Sequence, residues 1–169
     1  FLRLVGDLSG WYELRKWGGL FNEVAIMPHL SRWFVRVALF YLSLGVTLGA
    51  LLLANKGIPF APFLWNILPA HIEFMFLGWM SQFALGIAFW ILPRLNGAFP
   101  RGDERWTWNA FLLLNAGIWL VALAPGLPLS KLSLLGRVLE ALAFWAFVIG
   151  NWRRIYPPPT DWLRRLHNN

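Results

Sequence analysis

The chain contains no cysteine, and this absence excludes several kinds of site. Disulfides, thiolate zinc sites, iron–sulfur clusters and covalently attached c-type haem all need sulfur that the chain itself supplies. Histidine is also scarce, with three residues in 169. Any metal or cofactor chemistry must therefore rely on very few side chains.

Charged residues are scarce as well. They make up 14% of the chain, whereas 58% is hydrophobic and 12 residues are Trp. A soluble domain of this length could not bury so much apolar surface. The net charge of +7 would suit a nucleic-acid-binding domain, but the basic residues flank long apolar runs and do not form one patch. The composition therefore predicts a membrane protein with the lipid bilayer, and no nucleic acid, as its partner.

Four apolar runs, at about 37–54, 69–93, 106–124 and 132–152, have the length and hydrophobicity of transmembrane helices. Each is bounded by charged residues, proline or glycine, which are typical signals for the ends of helices. The predicted fold is an all-α integral membrane four-helix bundle over residues 33–156. A basic cytoplasmic tail is predicted over 157–169.

The distribution of Lys and Arg predicts the orientation. Twelve of the 15 lie before the first run, between the second and third, or after the fourth, and the other three are Lys56, Lys131 and Arg137. Because basic residues near the ends of spans resist translocation, both termini are expected in the cytoplasm. The start of the second span should then lie near the outer face.

Residues 1–32 form a separate predicted segment. Its apolar side chains recur at near-helical spacing among charged ones, at Leu4, Leu8, Trp11, Tyr12 and Leu14. This pattern predicts an amphipathic helix on the inner membrane surface. The order of residues does not match a cleaved signal peptide.

His71 lies near the outer end of the second predicted span. In a helical projection at 100° per residue, seven residues of this span fall within about 60° of one another and share one helix face: His71, Met75, Gly78, Gln82, Leu85, Gly86 and Phe89. Because glycine lets a flat group approach closely, a haem against this face with His71 as axial ligand is physically sensible. The alternative is that His71 forms an interfacial hydrogen bond while Gly78 and Gly86 allow helix packing.

Three ionisable side chains are expected at similar depth. Arg137 and Glu140 lie one turn apart, and Glu73 follows His71. Arg137 could pair with a haem propionate, with a lipid or quinol head group, with Glu73 across the bundle, or with Glu140 alone. In the first span, Gly45 and Gly49 form a G-x-x-x-G motif, for which packing within the chain is the expected use.

The stretch PAHIEFMFLGW from Pro69 to Trp79, continued by GIAFWILPR from Gly86 to Arg94, resembles the second transmembrane helix of the haem–copper oxidase and nitric oxide reductase large subunit. In that family, a His at the outer end of this helix binds the low-spin haem and Pro-Arg closes the inner end. The resemblance implies that His71 is the ligand of a b-type haem. With the preceding span, it covers about a third of the chain and suggests a small stand-alone member of the superfamily.

This chain departs from the family pattern in its histidines. The family places the second low-spin ligand and the copper ligands on later helices, which are absent from these four spans. His29 and His167 are excluded by depth, so a sixth haem ligand must come from another chain or be absent. No catalytic residue is assigned, and no independent enzyme activity is expected.

The sequence is therefore compatible with two functions. The first is a membrane subunit of a respiratory or electron-transfer complex in the bacterial inner membrane, with His71, Gly78, Gly86 and Arg137 around a b-type haem. Its expected partners are other membrane subunits and quinol. The second is an accessory subunit without a redox cofactor, which packs against partner helices, lipids or pigments.

Overall fold

The structure is a computed structural model that describes residues 27–94, 101, 103–126 and 131–155. These residues form four helices that are each long and apolar enough to cross a membrane, and they contain no strand. The described part of the chain is therefore all-helical, and its four candidate spans are those of a multi-pass membrane protein, as the apolar runs predicted. Residues 1–26 of the predicted interfacial segment and the predicted tail at 157–169 lie outside the described residues.

The four helices are α1 (His29–Gly57), α2 (Pro62–Ile91), α3 (Glu104–Leu123) and α4 (Leu132–Ile155). Each contains most of one predicted span. α1 begins ahead of the predicted start at residue 37, because Arg32 and Arg36 lie on its exposed side while Leu30 and Phe34 are buried. The predicted boundary between residues 32 and 33 therefore falls inside this helix.

α2 changes its helical type along its length. It begins as a 3₁₀ helix at Pro62–Ile67, becomes α-helical at Leu68–Glu73, is π-helical at Phe74–Ser81 and is again α-helical at Gln82–Ile91. Leu92 is extended, with ψ at 138°, because the following proline disfavours helical backbone at the residue before it. π-helical turns are often found at functional sites, and this one begins directly after Glu73.

Glycines bring the helices together in pairs. α3 and α4 meet where a Cβ at Gly117 would lie 2.8 Å from the Gly136 carbonyl oxygen and one at Gly136 would lie 2.9 Å from the Gly117 oxygen. Side chains in these two places would force the backbones apart. Two buried clusters fill the interior; their members include Leu30, Phe34, Phe89, Ala110 and Phe147 in one, and Tyr41, Phe74, Leu114, Ile118 and Ala143 in the other.

Neighbouring helices are antiparallel, so the bundle has two chemically different ends. The end of the bundle with the start of α1 is called the arginine-rich end, and its basic residues are Arg32, Arg36, Arg94, Arg101, Arg105, Arg153 and Arg154. The opposite end is called the His71 end, and it holds His71, Glu73, Arg137 and Glu140.

Candidate functional site

The G-x-x-x-G motif of α1 meets α2 at the His71 end. A Cβ at Gly49 would lie 2.7 Å from His71 Cε1, and one at Gly45 would lie 2.6 Å from Met75 Sδ. Any larger residue in these two places would displace the α2 side chains or separate the helices. The motif therefore seats the imidazole of His71 directly against the backbone of α1.

A hydrogen bond fixes the orientation of this imidazole. His71 Nδ1 donates to the Gly45 carbonyl oxygen at 2.8 Å, and within the described residues Nε2 has no hydrogen-bond partner. Because a carbonyl can only accept, a neutral His71 carries its proton on Nδ1 and has its lone pair on Nε2. His29, the other described histidine, begins α1 at the arginine-rich end. A neutral His71 thus has one ring nitrogen, Nε2, whose lone pair no described residue engages.

The rest of the predicted haem face lies against α1. A Cβ at Gly78 would lie 2.6 Å from Tyr41 Cγ, and one at Gly86 would lie 2.7 Å from Phe34 Cβ. The Ser31 hydroxyl also donates to the Gly86 carbonyl oxygen. Both glycines therefore serve close helix packing, and α1 occupies the space in which a macrocycle edge was expected.

Glu73, Arg137 and Glu140 form a charged triad between α2 and α4. Arg137 Nη2 lies 2.7 Å from Glu73 Oε2, and Nη1 donates to Glu73 Oε1 at 3.2 Å and to Glu140 Oε2 at 2.8 Å. The two carboxylates are 2% and 3% exposed, whereas the side chain of Arg137 is 52% exposed. One guanidinium therefore bridges two buried carboxylates and turns its remaining surface outward.

Arg137 makes two of the contacts that the sequence left open for it. It pairs with Glu73 across the bundle and with Glu140 along α4 at the same time. Gly117 of α3 makes room for this arrangement, because a Cβ there would lie 2.7 Å from Glu140 Cγ. Glu140 Oε1 is buried and has no hydrogen-bond partner among the described residues. The triad contains two acids and one base in a largely apolar setting.

Arg154 has a structural role that the sequence did not predict, since it counted there only among the basic residues that indicate the orientation. It is 1% exposed, and its guanidinium donates to the carbonyl oxygens of Phe89, Leu92 and Pro93 at 2.9, 2.6 and 3.1 Å. Asn151 Oδ1 accepts a fourth hydrogen bond at 2.8 Å. The last carbonyls of a helix have no partner within the helix, so Arg154 of α4 caps the end of α2. The only indication of this role in the sequence was that Arg154 follows Asn151 by three residues, a spacing that brings two side chains together on a helix.

Gln82 is the second residue whose role the sequence did not reveal. Its side chain is fully buried, and within the described residues neither amide atom has a hydrogen-bond partner. A nearby polar pair, Tyr41 and Asn115, is satisfied, since the Tyr41 hydroxyl donates to Asn115 Oδ1 at 2.8 Å. Within the described residues, the amide of Gln82 and Glu140 Oε1 are therefore the uncompensated polar groups of the interior.

This burial predicts that Gln82→Leu stabilises the bundle. Removing an unpaired buried amide should raise the free energy of unfolding by about 1–2 kcal/mol. Unfolding of the purified protein in mixed micelles, followed by circular dichroism, measures the change, and Ser81→Ala is the neighbouring control. A decrease of similar size for Gln82→Leu would show that the amide has a partner and would contradict the prediction.

Comparisons of the chain with protein-family models, with curated proteins and with solved structures found no match. The resemblance to the haem–copper oxidase large subunit therefore rests on the residues of α1 and α2 alone.

Proposed function

We propose that this chain is a membrane subunit of a respiratory or electron-transfer complex and that His71 binds a b-type haem through Nε2. The observation that carries the proposal is the 2.8 Å hydrogen bond between His71 Nδ1 and the Gly45 carbonyl oxygen. Histidines that bind metals commonly donate their other ring N–H to a carbonyl or carboxylate, which sets the tautomer and the ring orientation. The resemblance of residues 69–94 to a haem-binding helix supports the same role.

Of the four residues that the sequence placed around a haem, the proposal keeps His71. Gly78 and Gly86 are in contact with α1, and Arg137 is engaged by two carboxylates. A haem bound to His71 supplies one-electron transfer. The chain's own part would be to hold the imidazole of His71 in one tautomer against α1.

The proposal predicts the loss of haem in His71→Ala. The purified parent complex should show a Soret band and a reduced-minus-oxidised α-band, and His71→Ala should lose at least about nine-tenths of both because the axial ligand is gone. His29→Ala is the matched control, since it removes a histidine at the opposite end of the bundle. Equal loss in both variants, or unchanged bands in His71→Ala, would contradict the assignment.

A second function is favoured by a different observation. The contacts of Tyr41 with Gly78 and of Phe34 with Gly86 complete the packing of α1 on α2 without any added group. This favours an accessory subunit that has no redox cofactor and packs against partner helices, lipids or pigments. Under this alternative the parent complex has no haem absorption attributable to this chain, and His71 remains a packing and hydrogen-bonding residue.

In either case, we propose that the arginine-rich end faces the cytoplasm of a bacterial inner membrane, with the N-terminal segment on the same surface. The predominance of Lys and Arg at that end supports this orientation. Because the chain has no native cysteine, single cysteines at Gly57 and Arg101 report the topology directly. An impermeant thiol reagent added from outside should label Gly57→Cys and spare Arg101→Cys. The reverse pattern would invert the orientation.

A further inference from the structure

A groove of about 540 Å³ runs between α3 and α4 on the outer surface of the bundle. Its walls include Trp106, Asn109, Leu113, Trp145 and Ile149. Most of these side chains are apolar and face the region of the lipid chains, which is ordinary for a membrane protein. Asn109 is different, because it places a polar amide in this wall.

The amide of Asn109 is exposed to the groove and has no hydrogen bond to another described residue. An amide that faces hydrocarbon without a partner is unfavourable, since lipid chains offer no donor or acceptor. The exposed hydroxyls of Ser43 and Thr47 on α1 avoid this cost. Thr47 on α1, for example, donates to the Ser43 carbonyl oxygen at 2.8 Å. The unpaired amide of Asn109 therefore indicates that the molecule bound in the groove supplies a polar group at this position.

Two columns of side chains continue from the groove to the arginine-rich end. On α3 the column is Arg105, Asn109 and Leu113, and on α4 it is Arg153, Ile149 and Trp145. Successive members are four residues apart, so they lie on one helix face and about 6 Å deeper at each step. Both columns thus change from cationic at the mouth of the groove to apolar in the membrane, with the amide of Asn109 at the intermediate depth.

The charge at the mouth of the groove is positive. Arg105 and Arg153 are exposed and form no ion pair with a described residue. Of the two acidic residues that the structure describes at this end, Glu104 lies within electrostatic range of Arg101 and Arg154. Asp103 accepts the backbone N–H of Arg105 at 3.0 Å as the N-cap of α3. Two arginines that flank a groove between transmembrane helices form an attractive site for a phosphate.

We propose that this groove binds one anionic phospholipid. Its phosphate lies between Arg105 and Arg153, an ester carbonyl accepts a hydrogen bond from the Asn109 amide, and an acyl chain lies along the apolar walls. The order of these groups in a phospholipid, from phosphate through ester to hydrocarbon, is the order of the groove from its mouth inward. This site is independent of the proposed haem at His71, and it assigns a function to the surface between α3 and α4.

Native mass spectrometry of the full chain tests the proposal. The protein is purified in detergent and mixed with equal amounts of dioleoyl phosphatidylglycerol and dioleoyl phosphatidylcholine, and the bound fraction of each lipid is measured. The parent should retain phosphatidylglycerol preferentially. The Arg105→Gln, Arg153→Gln double variant should lose this preference by about ten-fold, because two cationic contacts to the phosphate are removed.

Two further variants separate the groove from general surface charge. Arg32→Gln, Arg36→Gln removes two exposed arginines of α1 at the same end, and it should retain the preference. Asn109→Leu should weaken retention of both lipids, whereas Thr47→Val should have no effect. Equal retention of the two lipids by the parent, or equal losses in the α1 control, would overturn the proposal.

Photocrosslinking identifies any other occupant of the groove. A benzoylphenylalanine at Leu112, which lines the groove, should give a lipid adduct in membranes that contain the native complex. An adduct with a second copy of this chain or with another subunit would show that a helix fills the groove, and the lipid proposal would then be rejected.

Discussion

Replacing Arg154 with alanine should lower the free energy of unfolding by about 3 kcal/mol, because one guanidinium is donor to three carbonyls at the end of α2. Without it, the Phe89 carbonyl oxygen loses its partner in a buried place, and the Leu92 carbonyl oxygen loses its partner in a partly buried one. The guanidinium also lies 4.9 Å from the centre of the Phe89 ring, so a cation–π contact is lost as well.

Arg153→Ala is the matched control for this prediction. Arg153 is the neighbouring residue on α4, carries the same charge and is exposed. Its removal should change the free energy of unfolding by less than about 0.5 kcal/mol. Both variants are measured by unfolding in mixed micelles. Similar effects of the two substitutions would mean that only net charge matters and that the cap does not stabilise α2.

Arg137→Met should also destabilise the bundle, by on the order of 3 kcal/mol, because it leaves two buried carboxylates without their cation. The half-exposed position of Arg137 reduces the cost of burying its charge, but Glu73 and Glu140 are almost completely enclosed. Lys131→Met removes an exposed cation just before α4, at the same end of the bundle, and should have little effect.

The triad model makes a sharper prediction for combined substitutions. Adding Glu73→Gln and Glu140→Gln to Arg137→Met should recover most of the lost stability, since no uncompensated charge then remains in the interior. An additive loss across the three substitutions would contradict the triad, because it would mean that the three side chains contribute independently.

The helices were the part of the fold that the sequence could predict. Long apolar runs bounded by proline and charge correspond to α1–α4 because hydrophobic length largely determines a transmembrane helix. The start of α1 was predicted late. The uncharged run that predicted this span begins after Arg36. The helix itself starts earlier because its first turns are amphipathic, with Arg32 and Arg36 exposed and Phe34 buried.

The site was less predictable because it depends on which helix faces which. Gly78 and Gly86 share a helix face with His71, as the periodicity indicated, but periodicity cannot reveal that α1 covers that face. As positive charges at the end of a predicted span, Arg153 and Arg154 are equivalent in the sequence. They differ in the structure, where Arg154 lies beside the end of α2 and caps it, whereas Arg153 is an exposed charge.

Imidazole rescue of a His71→Gly variant tests the haem assignment most directly. The substitution leaves a cavity where the ring lay against Gly49, and the purified variant should lack the Soret band of the parent complex. Added imidazole should restore that band, since it can occupy the cavity, donate to the Gly45 carbonyl oxygen and coordinate iron through its other nitrogen. A His71→Gly complex that retains the parent spectrum without imidazole would contradict the assignment of His71 as the haem ligand.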